Sequence, residues 1–275
     1  MSLLTLDAIT LRSQDYSETS RIVSFFSREK GLVKGIAKGA RGRKGRFAST
    51  LEPLQRVRVT LSVKGTRDLQ TVTQADLLHP FAGVREDLFR SAYAQAAAEL
   101  LGRLSWHEDP GEEIYDLLLG VLGAYHEGIG DPQLVFLSFE IHLAGTLGYA
   151  LHFDRCAGCG GPLKDGGRFS YPQGAAWCTS CSPDAGYSVP IAAEVLELGR
   201  RLADPTGIVA SAALTPSRRT RQELARLLRR HLEYHTETSL ALRSLALAES
   251  LGEYAGKPTG GEETTSSVDV KATGD

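Results

Sequence analysis

The chain of 275 residues is poor in sulfur, with four cysteines and one methionine. It contains no run approaching the roughly 20 apolar residues that a membrane helix needs. Its start, Met-Ser-Leu-Leu-Thr-Leu-Asp, lacks the basic stretch and long apolar segment of a secretory signal, so a cytoplasmic setting is expected. Missing too are His-Glu-x-x-His, Gly-x-Ser-x-Gly, Gly-x-Gly-x-x-Gly and the P-loop pattern. These absences remove the signatures of zinc proteases, serine hydrolases, dinucleotide enzymes and P-loop NTPases. Acidic pairs such as Glu112-Glu113 fall in a first helical turn, where the helix dipole alone explains them. Nothing in the chain asks to be an active site, and an enzyme is not expected.

The four cysteines fall into two C-x2-C pairs, Cys156 with Cys159 and Cys178 with Cys181, separated by eighteen residues. This spacing fits a tetrahedral zinc site, because two short turns can each present two thiolates to one ion. Gly160-Gly161-Pro162 turns the chain after the first pair. Arg168 to Tyr171 and Ala175 to Trp177, around Pro172-Gln173-Gly174, read as a hairpin that returns the second pair beside the first. A redox dithiol or disulfides compete with this reading but explain the doubled pattern less well. Four thiolates leave no position for water, so a single structural Zn2+ is expected. His152 precedes a shell that is already full. His231 and His235, spaced i, i+4, read as a helix surface.

Charge is unevenly placed. Residues 1–80 hold 14 Lys and Arg against 7 Asp and Glu, and the remainder 17 against 26. No acid occurs from Lys30 through Leu51, while Gly39, Gly42 and Gly45 interleave with bases. Glycines let a backbone approach closely and cations neutralise phosphates, so this segment points to a polyanion. The candidate nucleic-acid contacts are Lys34, Lys38, Arg41, Arg43, Lys44 and Arg46, continued onto a strand by Arg56 and Arg58. Phe47 is the preferred base-stacking ring, and at least one of Phe25 and Phe26 is expected in a core. A second basic surface, Arg218, Arg219, Arg226, Arg229 and Arg230, lies on a helix whose buried stripe is Leu224, Leu227, Leu228 and Leu232. It reads either as a solvated face or as a phosphate or acidic-peptide contact.

Leu54 to Val63 alternates with period two, and Leu4 to Arg12, Ser20 to Ser27, Leu32 to Lys38 and Asp68 to Gln74 are similar runs. Five strands in about 80 residues suggest a small barrel, of OB or SH3-like type. Helical spacing follows over Val84 to Ser105. Asp109-Pro110 and Asp131-Pro132 each place a cap before a proline suited to open a helix. Further helices are expected near Pro190, Pro216 and Thr236. The fold class is therefore α+β, an N-terminal barrel followed by helices with an inserted four-cysteine module. The expected divisions are 1–80 (barrel), 81–149 (helical), 150–186 (zinc module), 187–252 (helical) and 253–275 (a disordered tail of polar composition).

Ala8-Ile-Thr-Leu-Arg12, Asp15-Tyr-Ser-Glu-Thr-Ser-Arg21, Lys30-Gly-Leu, Ala37-Lys-Gly-Ala-Arg41, Leu51-Glu-Pro and Ala75-Asp-Leu-Leu to Pro80-Phe81 together resemble the RecO family of bacterial DNA repair proteins. Leu147-Gly-Tyr149 before the cysteines, and Tyr234-His235 with Leu242-Arg243-Ser244, extend the resemblance to about residue 250. It implies an OB-fold, a helical domain and a zinc module. It implies a nucleoid-associated recombination mediator that binds single- and double-stranded DNA and anneals complementary strands. With RecR, such a protein helps RecA displace the single-strand-binding protein SSB, which is engaged through its acidic, hydrophobic C-terminal tail. An OB barrel usually carries a helix between strands three and four, and Gly39 to Leu51 is too glycine-rich to promise one. The competing functions are a zinc-dependent nucleic-acid-modifying enzyme, which needs an open metal position, and a zinc-ribbon adaptor that binds only protein.

Overall fold

Alternating apolar residues build five strands, β1 (Ser2–Asp15), β2 (Arg21–Ser27), β3 (Gly31–Ala37), β4 (Arg56–Val63) and β5 (Leu69–His79). The computed structural model describes residues 2–41, 47, 49–65, 69–104, 111–181 and 187–255. The strands close into a barrel in the order β1-β2-β3-β5-β4, with β3 and β5 parallel and every other pair antiparallel. That order is the OB type rather than the SH3 type. Leu6, Ala8, Val23, Phe25, Val57, Val59, Leu61 and Val72 fill the interior. Gly35 faces the same core, where an added Cβ would meet Val72 at 2.8 Å and Leu61 at 3.3 Å. Among the described residues between β3 and β4 there are turns and no helix.

All three phenylalanines proposed for stacking are core residues, which corrects the expectation for Phe47. Phe47 is 3% exposed inside the barrel, beside Phe25. Phe26 points outward, as alternation demands, yet is equally buried because helices cover that part of the barrel wall.

The single helix expected over Val84 to Ser105 is two elements, a 3-10 turn at Ala82–Glu86 and α1 (Leu88–Arg103). Asp87 divides them by accepting from the Arg90 N–H at 2.8 Å, an N-cap that starts a new helix. α2 (Gly111–Glu127) and α3 (Pro132–Thr146) follow, and Asp131 caps α3 with Pro132 in its first turn. Asp109-Pro110 lies outside the described residues. The cysteine module carries β6 (Gly167–Ser170), β7 (Ala175–Trp177) and β8 (Ser188–Ile191), in the order β7-β6-β8. The hairpin is as expected and the third strand is an addition. Pro190 sits in β8 rather than at a helix start.

α4 (Ala193–Leu202), a short α5 (Gly207–Ala210), α6 (Arg218–Thr236) and α7 (Arg243–Ala255) complete the chain. The helix expected near Thr236 starts at Arg243 instead, where Glu99 of α1 accepts from the Arg243 and Ser244 amides and caps it. α7 continues to Ala255, past the expected boundary at 252. The expected disorder of the remaining tail, 256–275, falls outside the described residues.

One polar seam fixes the barrel to the helices. Asp7 on β1 accepts two bonds from the Arg56 guanidinium, at 3.0 and 2.6 Å, and one from the Tyr115 hydroxyl of α2. Arg28 reaches Asp116 and Glu112 on the same helix. Ile9, Leu11, Phe26 and Leu54 join the helical core around these bonds. Burial pushes the Asp7 carboxyl up, but the Arg56 and Tyr115 bonds outweigh it and leave it below its usual value.

Candidate nucleic-acid interface and metal centre

Helices cover only one end of the β2–β3 wall, around Phe26 and Leu32. The other end is open. There β3 turns Lys34 and Ile36 outward and the turn after it carries Lys38, with both lysines exposed and Ile36 opposite half-buried Ile22. Arg12 on β1 and Lys34 on β3 stand either side of Ser24, in register across three strands. Arg12 is also exposed. Lys34 and Lys38 form no ion pair among the described residues. This is the β2–β3 wall that OB barrels offer to oligonucleotides.

The remaining candidates fare differently. Arg41 pairs with Asp15 at 3.1 Å and donates to the Ser17 carbonyl at 2.6 Å, so it braces the β1–β2 turn. Arg56 is held by Asp7. Arg58 is exposed but stands in register between Asp7 and Asp76 on its two neighbouring strands. Arg43, Lys44 and Arg46 lie outside the described residues. The exposed ring that Phe47 does not supply comes from Tyr16, 62% exposed at the start of the β1–β2 turn. Its backbone N–H donates to Ser20, and Arg41 donates to Thr19 and Ser17 in the same turn. An aromatic inside the polar run Asp15-Tyr16-Ser17-Glu18 was the sequence signal for it.

The second basic set divides three ways around α6. Arg218 and Arg226, with Arg221 and Arg229, line a cleft of about 880 Å³ whose wall includes Phe89, Tyr93, Ala225 and Ala248. Within it Arg221 pairs with Asp131 at 2.6 Å and Arg229 with Glu249 at 3.1 Å. Arg219 turns to Glu223 at 2.8 Å. Arg230 is exposed on the side of α6 near Tyr171, and its charge partly offsets the rise that burial causes at the Tyr171 hydroxyl. Under the cleft, Glu140 of α3 is fully buried, and desolvation pushes its carboxyl up to about 8. The expected surface histidines are not on a surface. His231 is completely buried and donates from Nε2 to the Tyr149 carbonyl at 2.8 Å, and half-buried His235 does the same to Tyr171. Burial holds His231 neutral, near 4.

The four cysteine sulfurs all lie within 4.8 Å of one another, and no other such cluster occurs among the described residues. Cys159 and Cys178 sulfurs are 4.0 Å apart, against about 3.8 Å between thiolates on one zinc ion. The Cys178 amide donates to the Cys156 sulfur at 3.2 Å, and the Cys159 and Gly158 amides also point at it, drawing that thiol down to about 6. The sulfurs of Cys178 and Cys159 push Cys181 up to about 12. Four such groups ionise together only around a cation, so the donor set fits a metal ion. Gly158 makes the close turn possible, since a Cβ there would meet the Trp177 ring at 2.7 Å.

Sequence comparison agrees with this architecture. Residues 1–81 match the family Recombination protein O N terminal, and residues 85–245 match Recombination protein O C terminal. A DNA repair protein RecO of Rubrobacter xylanophilus is 35% identical over 260 residues, 94% of this chain and 100% of the relative. Those of Pelotomaculum thermopropionicum (33%, covering 92% and 96%) and an Anaeromyxobacter species (32%, covering 88% and 95%) are similar along their lengths. With an OB barrel, a helical domain and a four-cysteine cluster in one chain, the protein belongs to the RecO family of DNA repair and recombination proteins.

Proposed function

We propose that this chain is a recombination mediator that holds DNA by its backbone and anneals complementary strands. The observation that carries the reading is the β2–β3 wall, where Lys34 and Lys38 stand exposed with no acid paired to them among the described residues and Tyr16 rises from the adjoining turn. Lysines on a wall without base-reading grooves grip phosphate and discriminate little between sequences or strand types. Neutralising two strands at one surface lowers the repulsion that opposes their pairing. Arg43, Lys44 and Arg46 extend the same basic run in sequence. Arg56 stays out of the path, because Asp7 already answers its charge, and exposed Arg58 stands between two acids, Asp7 and Asp76, in register on its neighbouring strands.

The cleft beside α6 supports the second half of the reading. An apolar wall of Phe89, Tyr93, Ala225 and Ala248 under a rim of Arg218 and Arg226 suits a short peptide both acidic and hydrophobic, as the SSB tail is. Engaging that tail, and acting with RecR, would place the chain where SSB gives way to RecA. The metal is one Zn2+ with a structural role, as four thiolates without an open position require. The reading assigns the chain no bond-making or bond-breaking chemistry.

The test is annealing of complementary strands coated with SSB. The intact protein is expected to accelerate it, and an Arg218→Glu, Arg226→Glu variant to lose the acceleration only when SSB is present. Failure of the intact protein to anneal even naked strands would overturn the reading.

A further inference from the structure

The cysteine module and α6 present a pair of aromatic rings that the barrel reading leaves without a role. Tyr187, at the entry to β8, is 67% exposed, and Tyr234, on the last turn of α6, is 43% exposed. Their ring centroids lie 5.8 Å apart. The pair is held from behind. Tyr234 meets His235 edge-on at 5.0 Å, and His235 stacks on Tyr149 at 4.5 Å and 16°. Tyr171 anchors both partners: its N–H donates to the Tyr187 carbonyl at 3.1 Å, and its own carbonyl accepts from His235. Exposed Arg230 lies one helical turn before Tyr234, and its charge acts on the Tyr171 hydroxyl.

Two exposed rings backed by packed aromatics, with an exposed cation near them, form a stacking platform, which is what an unpaired base needs and what a duplex, with its bases buried, cannot use. Duplex phosphates find little here. Arg230 is a single cation, and Glu237 and the C-terminal end of α6 supply negative charge nearby. We infer that Tyr187 and Tyr234 form a second contact for single-stranded nucleic acid, one that reads base faces while the barrel holds phosphates. This rests on the DNA-binding reading above. It would also explain how one chain keeps a second strand in hand with its bases unstacked.

The experiment is binding of fluorescent oligo(dT), a fully abasic oligonucleotide of equal length and a duplex by the full-length protein, each over a salt series. Tyr187→Ala with Tyr234→Ala is expected to weaken oligo(dT) binding about tenfold, to leave the abasic strand and duplex unchanged, and to leave the salt slope unaltered. The Tyr→Phe pair should bind as the parent does. Lys34→Ala with Lys38→Ala, run alongside, should weaken all three and flatten the slope. If only the lysine variant loses binding, the platform is refuted and the barrel reading stands; if neither variant does, both fall. An equal tyrosine effect on abasic DNA, or loss of a protein partner with DNA binding intact, also refutes the platform. Both rings are exposed, so melting temperature should hold. Should it drop, Tyr187→Ser alone, in the more exposed ring, is put through the same series.

Discussion

Arg56 on β4 and Lys34 on β3 carry the same charge on two strands of one barrel, and they do opposite work. Arg56 faces Asp7 in a bidentate pair that a hydroxyl from α2 completes, and so helps hold barrel to helices. Lys34 faces solvent, as does Lys38 four residues further along. A count of positive residues treats the two alike. The register of the strands separates them, because pairing β1 with β4 sets Asp7 opposite Arg58 and two residues along from Arg56, on the same face. Cations that bind the fold together and cations left for a ligand are told apart only once the acids across the sheet are known.

Four variants test this division, and the largest effect is expected farthest from the barrel. Cys156→Ser should destabilise the protein by roughly 5 kcal/mol or more, since metal binding and folding of the module are one equilibrium. Thermal melting of the variant, and of the parent with a chelator, should show matching losses. Unchanged melting with DNA binding abolished would move the metal from the structural class to the binding class.

Next comes His231, kept neutral by burial near 4 against an ordinary 6.5. Below pH 6.5 the unfolded chain takes up a proton that the folded chain refuses. Stability is therefore lost as pH falls from 6.5 to 4, by about 3 kcal/mol, and then levels. Urea melts of the parent and His231→Gln at pH 7 and 4.5 isolate the effect, since Gln can still donate to Tyr149 but cannot titrate.

Smaller still, Asp7→Asn should cost about 1–2 kcal/mol, less than a fully buried pair because solvent reaches this one. DNA affinity should scarcely change, and a large drop there would erase the contrast between Arg56 and Lys34. Lys34→Ala with Lys38→Ala should leave stability where it was. It should reduce the slope of log K against log salt by about 1.4 for single strands.

Much of this was legible in the chain. Period-two runs marked all five barrel strands, and the doubled C-x2-C marked the metal site. The tally of positive residues overstated the binding face, because Asp7 and Asp15 take up Arg56 and Arg41 across segments that only folding brings together. Phe47 was misjudged for the same reason: a ring among glycines and arginines looks exposed until the barrel closes over it. β8 was missed since Ser-Val-Pro-Ile is short and holds a proline, which edge strands tolerate. His231, by contrast, was readable. It stands seven residues after Leu224 and four after Leu227, on the stripe already marked as buried. Tyr187 and Tyr234 are 47 positions apart and had no local pattern to announce them.

The barrel closes through β3 and β5, in a parallel register of three residue pairs, Lys34 with Leu69, Gly35 with Gln70 and Ile36 with Thr71. It is the shortest ladder in the barrel and joins strands far apart in sequence, so its loop-closure entropy is settled late. Amide protons along this ladder should exchange with deuterium sooner than those between β1 and β4, where eight pairs run unbroken. The wall proposed to grip DNA thus borders the barrel's loosest seam along β3, and a bound strand reaching across that seam would slow its exchange.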